Sequence, residues 1–391
     1  MATIAPKFIF NLLCFLLILS PSSPQQTNTL VQRQELKDRG ELVSADGSFR
    51  LGFFNLTPNN YYLGIWYNGD RLSDVVWVAN PDAPIFGKSS SLTIDDYGSL
   101  KISYGDEGHS ISLYSTQGAS NTSAVLLDTG NFVLQELNSD GTVKQDLWQS
   151  FDYPTDTLLP GMKLGVNKIT GHNWTLRSWR SVVVPDFGSF SFGMNKDPKP
   201  GNEFVILWHG EAYWTGGFPN EKGYLSWPTN GFTLPDQRDA YYSFVKITNE
   251  NETYFNYSTS NGAIFPRLRI NHLGNLYLCA RLLVECSTLS PASSGGCVKQ
   301  TLPECRRHDY TFIENSAYIV DGDVFEFNES DNLTRVDCQN RCLDNCSCVA
   351  YASSKQDDIG CKIWTRVPSI EMSQNAPTIY FLEYKGKTTS C

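Results

Sequence analysis

A short unit that recurs four times constrains this chain more than any other feature. Asp46-Gly47-Ser48-Phe49-Arg50-Leu51 returns as Tyr97-Gly98-Ser99-Leu100-Lys101-Ile102, as Thr129-Gly130-Asn131-Phe132-Val133-Leu134, and as Leu273-Gly274-Asn275-Leu276-Tyr277-Leu278. Glycine takes a turn position with positive φ, and the alternating residues after it form a strand with one buried face. No unit can bury that face alone, so several must pack around one core. Three copies before residue 150 predict a pseudo-threefold β-prism, and the fourth predicts a second, related all-β domain. Trp66, Trp77 and Trp148 are expected to fill the cores.

Cysteine placement divides the chain again. Cys14 lies in an N-terminal segment with Lys7 as a positive start and Phe8 to Leu19 as an apolar core, which reads as a signal peptide over 1–24. The other ten cysteines all follow Leu278, so the β region must hold itself together with apolar packing. An even number in a secreted chain implies disulfides. The spacing Cys346-x-Cys348 alone could suit zinc, but secretion and the lack of a nearby His favour disulfides. No later run of 18 apolar residues follows, and the end lacks the hydrophobic tail of a lipid-anchor signal. Eight N-x-Ser/Thr acceptors agree with secretion: Asn55, Asn121, Asn173, Asn251, Asn256, Asn328, Asn332 and Asn345.

A net charge of −10 argues against nucleic acid, which needs clustered Lys and Arg. The five histidines are scattered, and no nucleophile-elbow, zinc-protease, P-loop or dinucleotide motif occurs. No catalytic residue, metal or cofactor is expected. Thr334 to Asn345 predicts a helix capped by Asp331, Asn332 or Thr334, with Cys338 and Cys342 on one face. Ser347 to Ala352 and Gly360 to Trp364 predict strands that those cysteines could staple to the helix.

Three runs, Phe49–Phe54, Tyr62–Tyr67 and Val75–Asn80, resemble a plant bulb-type (G-type) lectin domain. Trp148-Gln149-Ser150-Phe151-Asp152-Tyr153-Pro154, continuing to Gly165, resembles the entry into an S-locus glycoprotein domain. Leu176–Ser181 and Tyr213–Gly217 extend that match. Cys-x3-Cys-x3-Cys-x-Cys, then Ala-Tyr-Ala and Gly-Cys-x-x-Trp, looks like a plant PAN/apple domain. The resemblance covers nearly all of the chain after the signal peptide. It implies a mainly β protein with two bulb-lectin-like β-prism domains (25–150 and 151–278), a reduced EGF-like linker (279–305) and an α+β PAN/apple domain (306–391). It also implies the pairs Cys338–Cys361 and Cys342–Cys348. Cys346 has no partner in the apple pattern and could pair back to Cys297 or Cys305; Cys391 could be free, intermolecular or linked to the linker module. Where the family normally has Arg after Trp-Val-Ala-Asn, this chain has Pro81.

Bulb lectins bind mannose through Gln-x-Asp-x-Asn-x-Val-x-Tyr. The four units match it at one, no, two and one of its five positions, so they read as scaffold, with Asn131 and Val133 the best residual sugar contacts. Several unpaired sugar hydroxyls would each cost about 1–3 kcal/mol. The resemblance therefore implies an apoplastic recognition glycoprotein that binds a peptide, protein or glycan, or a membrane receptor kinase, and modulates signalling of the pollen-recognition or defence type. A homodimer is compatible with it. Alternatives are the ectodomain of a G-type lectin receptor serine/threonine kinase, whose transmembrane and kinase parts would begin near Cys391, and a mannose-binding defence lectin. The stretch Asn202 to Asn256, with Trp208, Tyr213, Trp214 and Tyr224, is the expected interaction surface.

Overall fold

A computed structural model describes residues 27–69, 75–87, 89–105, 108–116, 118–119, 121–196, 203–217, 242–259, 265–286, 296–306 and 310–384. The signal segment with Cys14, Tyr224 and Cys391 lie outside them.

The first lobe consists of three antiparallel sheets. One joins Thr29–Val31, Thr122–Leu126, Phe132–Leu137 and Val143–Gln149 in that order. A second runs His109–Tyr114, Leu100–Tyr104, Ser90–Ile94, Glu35–Lys37, and the third runs Glu41–Val43, Phe49–Thr57, Asn60–Tyr67, Val75–Val78. Strict alternation explains the burial: Leu92, Ile94, Leu100 and Ile102 point inward and are wholly buried, while Thr93 and Lys101 between them are only half-buried. Ile85–Phe86 adds a fifth strand to the third sheet, and the second lobe repeats the plan with three four-stranded sheets built from strands between Thr157 and Val284. The chain is mainly β, and its two lobes have matching three-sheet architecture.

The four recurring units close alike. The amides of Gly47, Gly98, Gly130 and Gly274 donate to the carbonyls of Ser44, Asp95, Leu127 and Asn271, with glycine φ of 77°, 83°, 82° and 77°. In three of them the leading side chain also accepts from the turn backbone: Ser44 from Phe49 N, Asp95 from Tyr97 N and Ser99 N, Asn271 from Leu273 N and Asn275 N.

One apolar core is continuous through both lobes, from Leu30 to Val284. Tyr67 of the first lobe packs on Phe265 at 4.8 Å and donates its hydroxyl to Pro266 O at 2.8 Å. Trp66 shares a smaller cluster with Trp179 of the second lobe. The expected exposed aromatics are otherwise placed: Tyr213 is 6% and Trp214 0% exposed, because both side chains of the edge strand Glu211–Gly216 enter the core of the lobe.

In the C-terminal part, Tyr310–Glu326, Lys362–Met372, Ala350–Ala352 and Thr378–Tyr384 form a closed barrel, against which helix α1, Arg335–Asp344, packs. Thr334 caps α1 in a reciprocal box with Asp337. Cys338 and Cys342, both fully buried on that helix, bond to Cys361 and Cys348. Cys346 pairs with Cys305 rather than Cys297, and Cys297 pairs with Cys286. The strand expected from Ser347 starts only at Ala350, because Cys348 N donates to Asn345 O and its disulfide holds the segment in a turn beside the helix. The linker lies along the second lobe as an added edge, with Thr215 N donating to Gly296 O and Val298 N to Tyr213 O.

Candidate binding site between the two lobes

The run from Trp148 to Thr155 crosses from one lobe to the other. The strand Val143–Gln149 ends there, a single 3-10 turn over Ser150–Asp152 reverses the chain, and Pro154 follows. Asn131 fixes this turn. Its amide nitrogen donates to Gln149 Oε1 at 2.8 Å, and its oxygen accepts from Ser150 Oγ and Phe151 N, both at 3.2 Å. Asn131 is 7% exposed and Val133 3%. Both of the residual sugar-motif residues thus lie inside the scaffold, with the Asn131 amide engaged at both ends.

Beside the turn, a cavity of about 590 Å³ opens between the lobes. Trp77, Pro81 and Asp82 line it from the first lobe, and His172, Arg177 and Phe187 from the second. Its back wall is a series of aromatic rings. Tyr153, about half exposed, stacks on Trp148 at 5.7 Å and 20°, and Trp148 meets Trp77 edge-on at 6.0 Å. Tyr153 then meets His172 edge-on at 5.7 Å, and His172 meets Trp174 at 5.5 Å.

Polar groups hold these rings in register. Trp77 Nε1 donates to Tyr153 O at 2.8 Å, and His172 Nε2 lies 2.7 Å from Asp152 O. The Asp152 carboxylate accepts from Trp174 Nε1 at 3.2 Å and Gln149 Nε2 at 3.1 Å. The Arg177 guanidinium lies over the Phe187 ring at 4.0 Å. With Pro81 where the family resemblance implies Arg, Arg177 is the one guanidinium among the lining residues. Trp148 Nε1 and Thr155 Oγ1, both on lining residues, are buried without a hydrogen-bond partner. The cavity therefore offers an apolar ring face with a rim of both charges and several hydroxyls, which suits a polar ligand with an apolar side.

A second polar cluster joins the second lobe to α1. Asp337, 4% exposed, accepts from Ser189 Oγ at 2.7 Å, Trp208 Nε1 at 2.9 Å and His209 Nε2 at 2.8 Å, besides Thr334 N and Oγ1 of its own cap. Burial opposes the charged form, but the bonds from Ser189 and Thr334 and the nearby His209 outweigh it, so the carboxyl titrates below its ordinary range. Sequence reading did not single out Asp337. The Thr334-x-x-Asp337 spacing of a capping box was its visible signal.

Of the glycosylation acceptors, Asn55, Asn121, Asn173, Asn251, Asn328 and Asn332 are exposed, and Asn256 and Asn345 are half-buried. No helix among the described residues is long and apolar enough to cross a membrane.

Residues 74–180 match the D-mannose binding lectin family and residues 320–367 the PAN-like domain family. The chain is 41% identical over 409 residues to the G-type lectin S-receptor-like serine/threonine-protein kinase CES101 of Arabidopsis thaliana, covering 92% of this chain and 46% of that protein. It thus spans about half the length of that relative. It is 31% identical over 414 residues to the S-locus-specific glycoprotein S6 of Brassica oleracea, covering 91% of each. A mannose-binding lectin of known structure from Gastrodia elata is similar at 19% identity and a TM-score of 0.24, over 32% of this chain and 95% of that one, too low to carry an inference. The chain belongs to the family of S-locus glycoproteins and G-type lectin S-receptor-like kinases, and carries its lectin and PAN-like domains.

Proposed function

We propose that this chain is an extracellular recognition glycoprotein that takes a peptide, protein or glycan ligand at the interlobe cavity and thereby modulates receptor-kinase signalling, by binding rather than catalysis. The observation that carries the reading is the cavity itself: a half-exposed Tyr153 backed by Trp148, with polar groups from both lobes on its rim. The four motif turns support a scaffold role, since Asp46, Asp95, Asn131 and Asn271 all spend their polar atoms on their own backbone or on neighbouring side chains. Kinship with CES101 also supports a second form of the same reading, in which the chain is the ligand-binding ectodomain of a receptor kinase.

Glycan arrays and apoplastic peptide fractions, applied to the deglycosylated protein and to Tyr153→Ala treated alike, test the site. Retained ligand is expected to fall away in the variant; undiminished binding refutes the cavity as the site. Mannoside binding that disappears with Asn131→Ala, in a variant shown to be folded, would refute the scaffold reading and favour a mannose-binding lectin.

A further inference from the structure

Asn173-Trp174-Thr175 is an N-glycosylation acceptor, and both Asn173 and Thr175 line the interlobe cavity. The side chain is already held. Asn173 is exposed on the two-residue strand Asn173–Trp174, and its Nδ2 donates to Gly171 O at 3.1 Å. An N-linked sugar replaces one of the two amide hydrogens, so the other can keep that bond while the sugar leaves from a fixed direction.

What the sugar meets is chemically matched. A pyranose ring has an apolar C–H side, which an aromatic ring accepts, and a periphery of hydroxyls. Tyr153 supplies the ring, while Asp82, Arg177 and Ser191 on the lining residues supply donors and acceptors. Two further polar groups of lining residues, Trp148 Nε1 and Thr155 Oγ1, are buried and lack partners in the bare chain. No other acceptor asparagine lines this cavity.

We propose that the N-glycan on Asn173 lays its first sugars into the interlobe cavity against Tyr153 and closes it to outside ligands, so that occupancy at one acceptor decides whether the site is open. The gating consequence rests on the binding reading above; the seat of the glycan does not.

The test uses full-length glycosylated protein secreted from plant cells, with no ligand added. Mass spectrometry reads occupancy at Asn173 and hydroxyl-radical labelling at Tyr153, with the two-thirds-exposed Tyr97 of the first lobe as control. Labelling of Tyr153 is expected to rise several-fold in Asn173→Gln while Tyr97 is unchanged. Equal labelling with Asn173 occupied overturns the proposal, as does an unoccupied Asn173 in the secreted protein. If Asn173→Gln is not secreted, amidase release from the folded native protein replaces it. Release at Asn173 several-fold slower than at the exposed Asn121 supports the seat, and equal rates overturn it. Because no ligand enters, failure here leaves the binding reading standing. Conversely, an Asn173→Gln protein that binds no array glycan or peptide would sink the binding reading and not the glycan's seat.

Discussion

Replacing Asp337 by Ala removes a charged acceptor that serves two domains at once. Three of its bonds cross to the second lobe, from Ser189, Trp208 and His209, and two close the cap of α1 at Thr334. The cap alone is worth about 1 kcal/mol. Hydrogen bonds to a charged group contribute about 1.5–3 kcal/mol each and do not add simply. The Trp208 indole and the Ser189 hydroxyl would also lose their acceptor. A total loss of about 3–5 kcal/mol is expected from removing these bonds together. Asp337→Asn keeps the volume but turns one acceptor into a donor, and about 2 kcal/mol is expected. Calorimetry on the whole chain should show the transition of the C-terminal domain moving down and separating from that of the lobes. A double-mutant cycle with Trp208→Phe isolates the inter-domain term, and a coupling near 1 kcal/mol is expected. Additivity within about 0.5 kcal/mol, or a loss no larger than the cap, would refute the idea that Asp337 latches the domains. The sign with pH follows from the lowered carboxyl. Its contribution is complete above the unfolded value of about 3.9 and fades only as pH falls through the lower folded value. The latch should therefore hold in mildly acidic surroundings.

Gly130→Ala should cost about 2–4 kcal/mol, since a Cβ there would sit 2.7 Å from the Phe49 ring and 2.9 Å from Leu159 at φ 82°. Gly47→Ala, at φ 77° with nothing within 4 Å, should cost only about 1–2 kcal/mol; equal losses in denaturant melts would refute the steric part. Replacing Cys338 and Cys361 together by Ala opens a loop of 23 residues' separation and should cost about 3 kcal/mol in the same assay. His272 is pushed down to about 4 by burial and by Arg335. A base with a depressed folded value loses stability as pH falls from about 6.5 to about 4, because the unfolded chain takes the proton first. His272→Asn should flatten that part of the stability–pH curve, and an unchanged slope would refute it.

The lobes were legible because their information is local: each Gly turn and the alternation after it fix a hairpin without reference to the rest of the chain. Helix α1 was legible through Thr334 and the Cys338, Cys342 spacing. What sequence could not carry was distance. The pairing of Cys346 with Cys305 depends on where the linker runs, and that run is set by its edge pairing with Glu211–Gly216. Tyr213 and Trp214 were expected at a surface because exposure of an aromatic cannot be told from burial without knowing which face the sheet turns inward. The run at Trp148 stood out as specific, but its role as the wall between two lobes depends on His172 and Arg177, which join it only through the fold. Asp337 was hidden for the same reason, because its partners are 128 to 148 residues away.

The bond from Tyr67 to Pro266 sets a clock as well as a contact. Its ends are 199 residues apart, and at about 5–20 residues per second, synthesis places roughly 10–40 s between them. The hairpin of Phe49–Thr57 and Asn60–Tyr67 can close at once, but the side that receives Phe265 must wait uncovered. The first lobe thus keeps an apolar side exposed for as long as the second is unfinished. A substitution that slows the second lobe should therefore appear first as aggregation or loss of the whole chain during synthesis, before any change in the finished fold can be measured.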